Sequence, residues 1–94
     1  MQVIDSAENK EALKRLHNDL VESVNSYHDN EYRVFRNWLV RRTTVEELID
    51  EISHLLSAKY VLSPSIPVYI CDQYGIVIRE YTKEFQKEVD EKWK

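Results

Sequence analysis

The apolar positions of this chain fall mostly at helical spacing, and the pattern changes clearly in only one place. Leu13, Leu16, Leu20, Val24 and Tyr27 recur three and four residues apart, with Val21 beside them and Lys10, Glu11, Lys14, Asn18, Glu22 and Asn25 opposite. That stripe predicts an amphipathic first helix. Its start is expected at Asp5 or Ser6, because Asp5 followed by Glu8 resembles a capping box. Residues 1 to 4 then form a short lead-in, frayed or an edge extension. His28-Asp29-Asn30 reads as a break and a new N-cap. A second helix follows over about 31 to 42, with Tyr32, Phe35, Trp38 and Leu39 on one side. Thr44 with Glu47 makes a capping box for a third helix bearing Val45, Leu48, Ile49, Ile52, Leu55 and Leu56. The second and third helices are therefore joined by a very short connection. Residues 59 to 62 form a candidate short strand. Residues 63 to 67 form a loop, since each of Pro64 and Pro67 biases its predecessor away from helix. Thr82 caps a last helix over 83 to 93, apolar at Phe85, Val89 and Trp93.

The period changes between positions 67 and 81. Asp72-Gln73-Tyr74-Gly75 holds the only glycine of the chain and fits a type I turn with a left-handed fourth residue, the loop of a bulged β-hairpin. In that register Val68, Ile70, Ile76 and Ile78 share the core face. Tyr69, Cys71, Val77, Arg79 and Tyr81 share the other, with Tyr74 at the tip. A lone hairpin is marginal in water, so helices must cover the first face. The second face is covered either by the last helix or by a partner. The fold class expected is α+β in one domain, 1 to 94: three N-terminal helices, a β-hairpin able to gain a short third strand, and a C-terminal helix, winged-helix-like in outline.

Charge and chemistry narrow the function classes. A net charge of −4 gives no general attraction to nucleic acid or to an anionic membrane. One cysteine rules out an internal disulfide framework. The first residues lack a basic region followed by an apolar one, and no apolar run reaches the length of a membrane span. A cytoplasmic or otherwise intracellular protein is expected. No catalytic residue, cofactor or metal is expected either. Cys71 has Tyr69, Asp72 and Val77 for neighbours, which would not lower its pKa, and a single glycine cannot build a phosphate-cradling loop. Glu47, Asp50, Glu51 and His54 share one face of the third helix, and Glu51 with His54 repeats the Glu-x-x-His spacing of di-metal bundles. The second such motif that those sites need is missing, so a solvated acidic face is the expectation.

The unusual charge feature is the run Arg33, Arg36, Arg41 and Arg42 in a chain that is acidic overall. These guanidinium groups can recognise an anionic partner, or pair with Glu46, Glu47, Asp50 and Glu51 across the short turn. In a winged helix the third helix would enter the major groove, but here it presents carboxylates that a phosphate backbone repels. The leading expectation is a non-enzymatic, small acidic protein-interaction module. It would act as an adaptor or an inhibitor of a larger assembly, such as a phage-type blocker of a host nuclease. Its partner would be another protein or a second copy of itself, bound through Arg33, Arg36, Arg41, Arg42, Tyr69, Tyr74, Arg79 and Tyr81. The alternative is a winged-helix-like DNA-binding regulator that uses the second-helix arginines Arg33, Arg36, Arg41 and Arg42. Finally, the run Tyr32, Phe35, Trp38-Leu39, Thr44, Glu46-Glu47-Leu48 and Leu55-Leu56 resembles the paired-helix segment of SAGA-complex transcriptional adaptor subunits. The same pattern belongs to any capped amphipathic helix pair, so no residue role follows from it.

Overall fold

The sheet is built on the first residues of the chain. The computed structural model describes residues 1–25, Phe35, Trp38 and residues 45–94. Strand β1, Gln2–Asp5, lies at the centre of a three-stranded antiparallel sheet, between β2, Tyr60–Leu62, and β3, Arg79–Glu80. Val3 faces Leu62 on one side and Arg79 on the other, and Ile4 faces Val61. The expected lead-in is therefore the strand on which the others depend. Val3 and Ile4 are both fully buried, because successive strand residues point to opposite faces and both faces are covered. Two adjacent apolar residues give no alternation from which a strand can be read.

Helices α1 (Lys10–Asn25), α2 (Val45–Ser57) and α3 (Val68–Tyr74) cover the Ile4 face. Leu13, Leu16 and Leu20 of α1 meet Leu48, Ile52 and Leu55 of α2 in one apolar core. These residues fall where the spacing predicted, but Val21 is exposed, and Tyr27 and the side chains of Val24 and Val45 lie outside the described residues. Phe35 and Trp38 are helical and buried in the same core; the rest of the predicted second helix lies outside the described residues, as do the proposed caps at Asn30 and Thr44. Helix α4 (Lys83–Lys92) covers the Val3 face with Phe85 and Val89. Its predicted cap is present: Thr82 Oγ1 accepts from the Phe85 N–H at 3.0 Å. The chain is thus α+β, with four helices among the described residues.

Two further expectations are corrected. Helix α1 begins at Lys10 and not at Asp5 or Ser6. Asp5 ends β1, residues 6–9 form a turn, and Asp5 Oδ1 accepts from the Ala7 N–H at 3.0 Å, a local bond that favours a turn over a helix. Glu8 does not complete a capping box; it pairs with Arg79 at 2.7 Å.

The second correction concerns 67 to 75. Val68–Tyr74 is a helix, so the alternation of Val68 with Ile70 does not describe a strand. Pro67 starts it, with its carbonyl accepting from Ile70 and Cys71 N–H, both at 3.0 Å. Gly75 ends it in the left-handed region, at φ 72°. Ile76 N–H returns to Cys71 O at 2.8 Å and Gly75 N–H to Asp72 O at 3.4 Å, the paired bonds of a Schellman stop. The glycine supplies the left-handed residue expected of it, but to close a helix. Strands β2 and β3 pair with β1 and not with each other, so the described residues hold no hairpin wing.

Candidate interaction surface

The predicted outward face is divided by the structure, and α4 takes part of it. Tyr81 packs into an aromatic cluster with Tyr60 at 5.8 Å and Phe85 at 6.2 Å between ring centroids. Its hydroxyl donates to Gln86 Oε1 at 2.8 Å. Arg79 lies between two carboxylates, Glu8 at 2.7 Å and Glu88 at 3.5 Å. Hydrogen bonding to Glu8, followed by the charge of that carboxylate, raises its pKa further. Arg79 therefore links β3 and α4 to the turn before α1, and Tyr81 joins β2 to α4.

Tyr74, expected at a hairpin tip, is buried as the last residue of α3. Its ring stacks on Phe35 with centroids 6.5 Å apart, its hydroxyl donates to Asp19, and its carbonyl accepts from Arg15 at 3.0 Å. Burial, then the bond to Asp19, pushes its phenol well above the ordinary range. Tyr74 thus clamps α3 to α1 beside a polar cleft of about 430 Å³ lined by Arg15, Asn18, Asp19, Glu22 and Gln73. Arg33, Arg36, Arg41 and Arg42 lie outside the described residues.

Val77, at 46%, and Arg79 also stay exposed on that predicted face. Tyr69 is 43% exposed on the outer side of α3, next to Val68 at 64%. The inner side of α3 carries Ile70, Cys71 and Tyr74, all buried. The helical period therefore separates Tyr69 from Cys71, where a strand would have put them on one face. Cys71 is 1% exposed, and burial, aided by Asp72, pushes its thiol up to about 11. At pH 8 roughly one native molecule in a thousand then carries the thiolate that reacts. Alkylation at that pH is expected to be slower than in the unfolded chain by at least about a hundredfold. Mass-spectrometric timing with and without denaturant measures it; equal rates would contradict the burial.

A second concavity, about 300 Å³, lies beside β2 and is lined by Glu51, His54, Leu55, Val61, Ser63, Pro64 and Ser65. Ser65 Oγ donates to Glu51 Oε1 at 3.1 Å, while Glu47, Asp50 and His54 are exposed. Among the described residues no group of three or more His, Cys, Asp or Glu side chains is placed to hold a metal ion, and no helix is long and apolar enough to cross a membrane.

The sequence reading missed a buried polar joint at the start of α1. Asn9 is 2% exposed. Its Oδ1 accepts from the Val77 N–H at 2.7 Å, and its Nδ2 donates to Val77 O at 3.0 Å and to Asp5 O at 2.9 Å. Asp5, also 2% exposed, receives Lys92 of α4 at 3.4 Å. The only local signal was a pair of turn-prone polar residues ahead of the apolar stripe. No protein-family model matches the chain, and no curated protein or solved structure matches it either.

Proposed function

We propose that this chain is a non-enzymatic protein-interaction module, an adaptor or an inhibitor of a larger assembly, and that α3 presents part of its binding surface. The observation carrying this reading is the outer side of α3. Val68 and Tyr69 are exposed there, on a short helix held by Pro67, Gly75 and the Tyr74 clamp. A tyrosine beside an aliphatic residue is the kind of anchor that dominates interface energetics. Arg79, Tyr74 and Tyr81 support that surface by fastening its neighbours. Arg33, Arg36, Arg41 and Arg42 would add attraction for an acidic partner.

The test is affinity capture from the native cell after nuclease treatment, with the mass of the assembly measured. A stoichiometric protein partner is expected. The double substitution Val68→Ser, Tyr69→Ser should weaken capture at least about tenfold, on the order of the 1.4 kcal/mol of a modest hot spot. Thermal unfolding should change little, because both side chains are partly exposed and lie outside the buried core. A well-folded wild-type chain that captures nothing would count decisively against the reading. Low-salt gel shifts test the DNA-binding alternative: retardation that weakens with salt and with loss of the four arginines would favour it.

A further inference from the structure

The two edges of the sheet are protected unequally. On β3, Arg79 and Glu80 are charged and held, Glu80 by the N-terminal ammonium at 3.0 Å. On β2 the strand is Tyr60-Val61-Leu62, without a charge among its residues, and an uncharged edge of β-prone residues is open to another strand. The hydrogen-bond phase shows which groups it offers. Ser6 N–H bonds to Lys59 O at 3.1 Å, and Ser63 N–H bonds to Gln2 O at 2.7 Å. In an antiparallel ladder alternate residues bond inward. Residues 59, 61 and 63 therefore turn toward β1, and the N–H and C=O of Tyr60 and Leu62 point outward. Among the described residues nothing pairs with them. Ser63, at φ 51°, turns the chain out of the strand and limits the edge to this short run.

We propose that a second copy of this chain docks on that edge, β2 against β2, about a two-fold axis at Val61. Tyr60 then exchanges hydrogen bonds with Leu62 of the second copy, and Leu62 with its Tyr60. The side chains agree with this register. Leu62, 42% exposed, meets a tyrosine, an aromatic–aliphatic cross-strand pair. Val61, which lines the smaller concavity with Leu55 and Pro64, meets itself. Lys59 falls opposite Ser63, so no like charges are opposed along the strand. The edge is thus its own complement in hydrogen bonds and opposes no like charges, and symmetric pairing closes the assembly at two chains. So short an edge buries less than the roughly 1,200–2,000 Å² of a stable interface, so dissociation constants on the order of tens to hundreds of micromolar are expected. This inference is independent of the surface on α3.

Purified protein alone tests it. Sedimentation equilibrium should show the mass rising from one chain toward two between about 10 µM and 1 mM. Over that range amide exchange at Tyr60 and Leu62 should slow about two- to sevenfold, while Val61, already paired to Ile4, stays protected throughout. Leu62→Lys should abolish the change in mass, and Val21→Lys, on the outer side of α1, should not. In the symmetric register the two Val61 Cα atoms sit about 4.5 Å apart, within the range a disulfide spans. Val61→Cys should therefore oxidise to a covalent dimer, linked through position 61, at least tenfold faster than Leu62→Cys. One-chain mass at 1 mM with freely exchanging Tyr60 and Leu62 amides overturns the proposal. So does a dimer that survives Leu62→Lys, or equal cross-linking by the two cysteine variants.

Discussion

Phe85→Ala is expected to lower the stability of the fold by about 3–5 kcal/mol, the range for emptying a buried aromatic site. Phe85 is 5% exposed and is the centre of the smaller core. Its ring meets Tyr60 edge-on at 5.8 Å and Tyr81 at 6.2 Å, contacts that add to simple burial. It also covers Val3, the residue by which the central strand faces α4. Few other side chains could fill the gap, since Val89 is the other fully packed residue that α4 contributes. Against a total of roughly 5–15 kcal/mol for a domain of this size, the loss is large. It should move the melting temperature down by roughly 15–30 °C. Denaturant titration measures it, and amide exchange locates it: Val3 and the β3 amides should lose protection first. A loss under about 1 kcal/mol would mean that α4 is not the cover of the Val3 face.

The same residues explain what could be read in the sequence and what could not. The leucine and isoleucine stripes of α1 and α2 and the Thr82 cap of α4 are local patterns of long or strongly marked helices, and Leu13, Leu16, Leu20, Leu48, Ile52, Leu55 and the cap stand where the spacing put them. Strand β2 was also legible, as a β-prone run between a helix and a proline. The stretch 68–74 was ambiguous. A Gly after Asp-Gln-Tyr serves a bulged hairpin or a helix stop equally well, because both need a left-handed residue. What distinguished them was the helical grouping of Ile70, Cys71 and Tyr74 behind Pro67, with proline before and glycine after. Strand β1 was not legible at all. Its partners lie near positions 61 and 79, and its Val3 face is covered by α4 from the far end of the chain. For the candidate surface, the strand-based grouping of Tyr69 with Arg79 and Tyr81 failed with the register. Tyr69 is on α3, whereas Arg79 pairs with Glu88 of α4 and Tyr81 packs on Phe85 of α4.

Asn9→Ala is expected to cost about 2–3 kcal/mol, more than its size suggests. The Asn9 carboxamide acts as one more rung of the sheet, pairing both ways with the backbone of Val77 and bonding back to Asp5. Alanine removes all of these bonds from a site 2% exposed, at about 1 kcal/mol each for neutral groups. It also leaves Val77, in the segment leading from α3 to β3, without that tether. Asn9→Asp separates hydrogen bonding from shape. The aspartate keeps the acceptor for the Val77 N–H but turns an acceptor toward Val77 O and Asp5 O, where the amide donated. At pH 7 it should destabilise the fold at least as much as alanine, since a buried anion facing carbonyl oxygens is unfavourable. Those carbonyls favour the protonated acid, so its folded-state pKa lies above the roughly 3.9 of an unfolded aspartate. The unfolded state then binds fewer protons through that range. Relative to wild type, Asn9→Asp should recover stability as the pH falls from neutral toward 4, whereas Asn9→Ala should track wild type. Urea unfolding of the three proteins at pH 7 and pH 4.5 decides it. If Asn9→Asp shows no such recovery and Asn9→Ala costs under about 0.5 kcal/mol, the side-chain rung does not hold β3 to the start of α1.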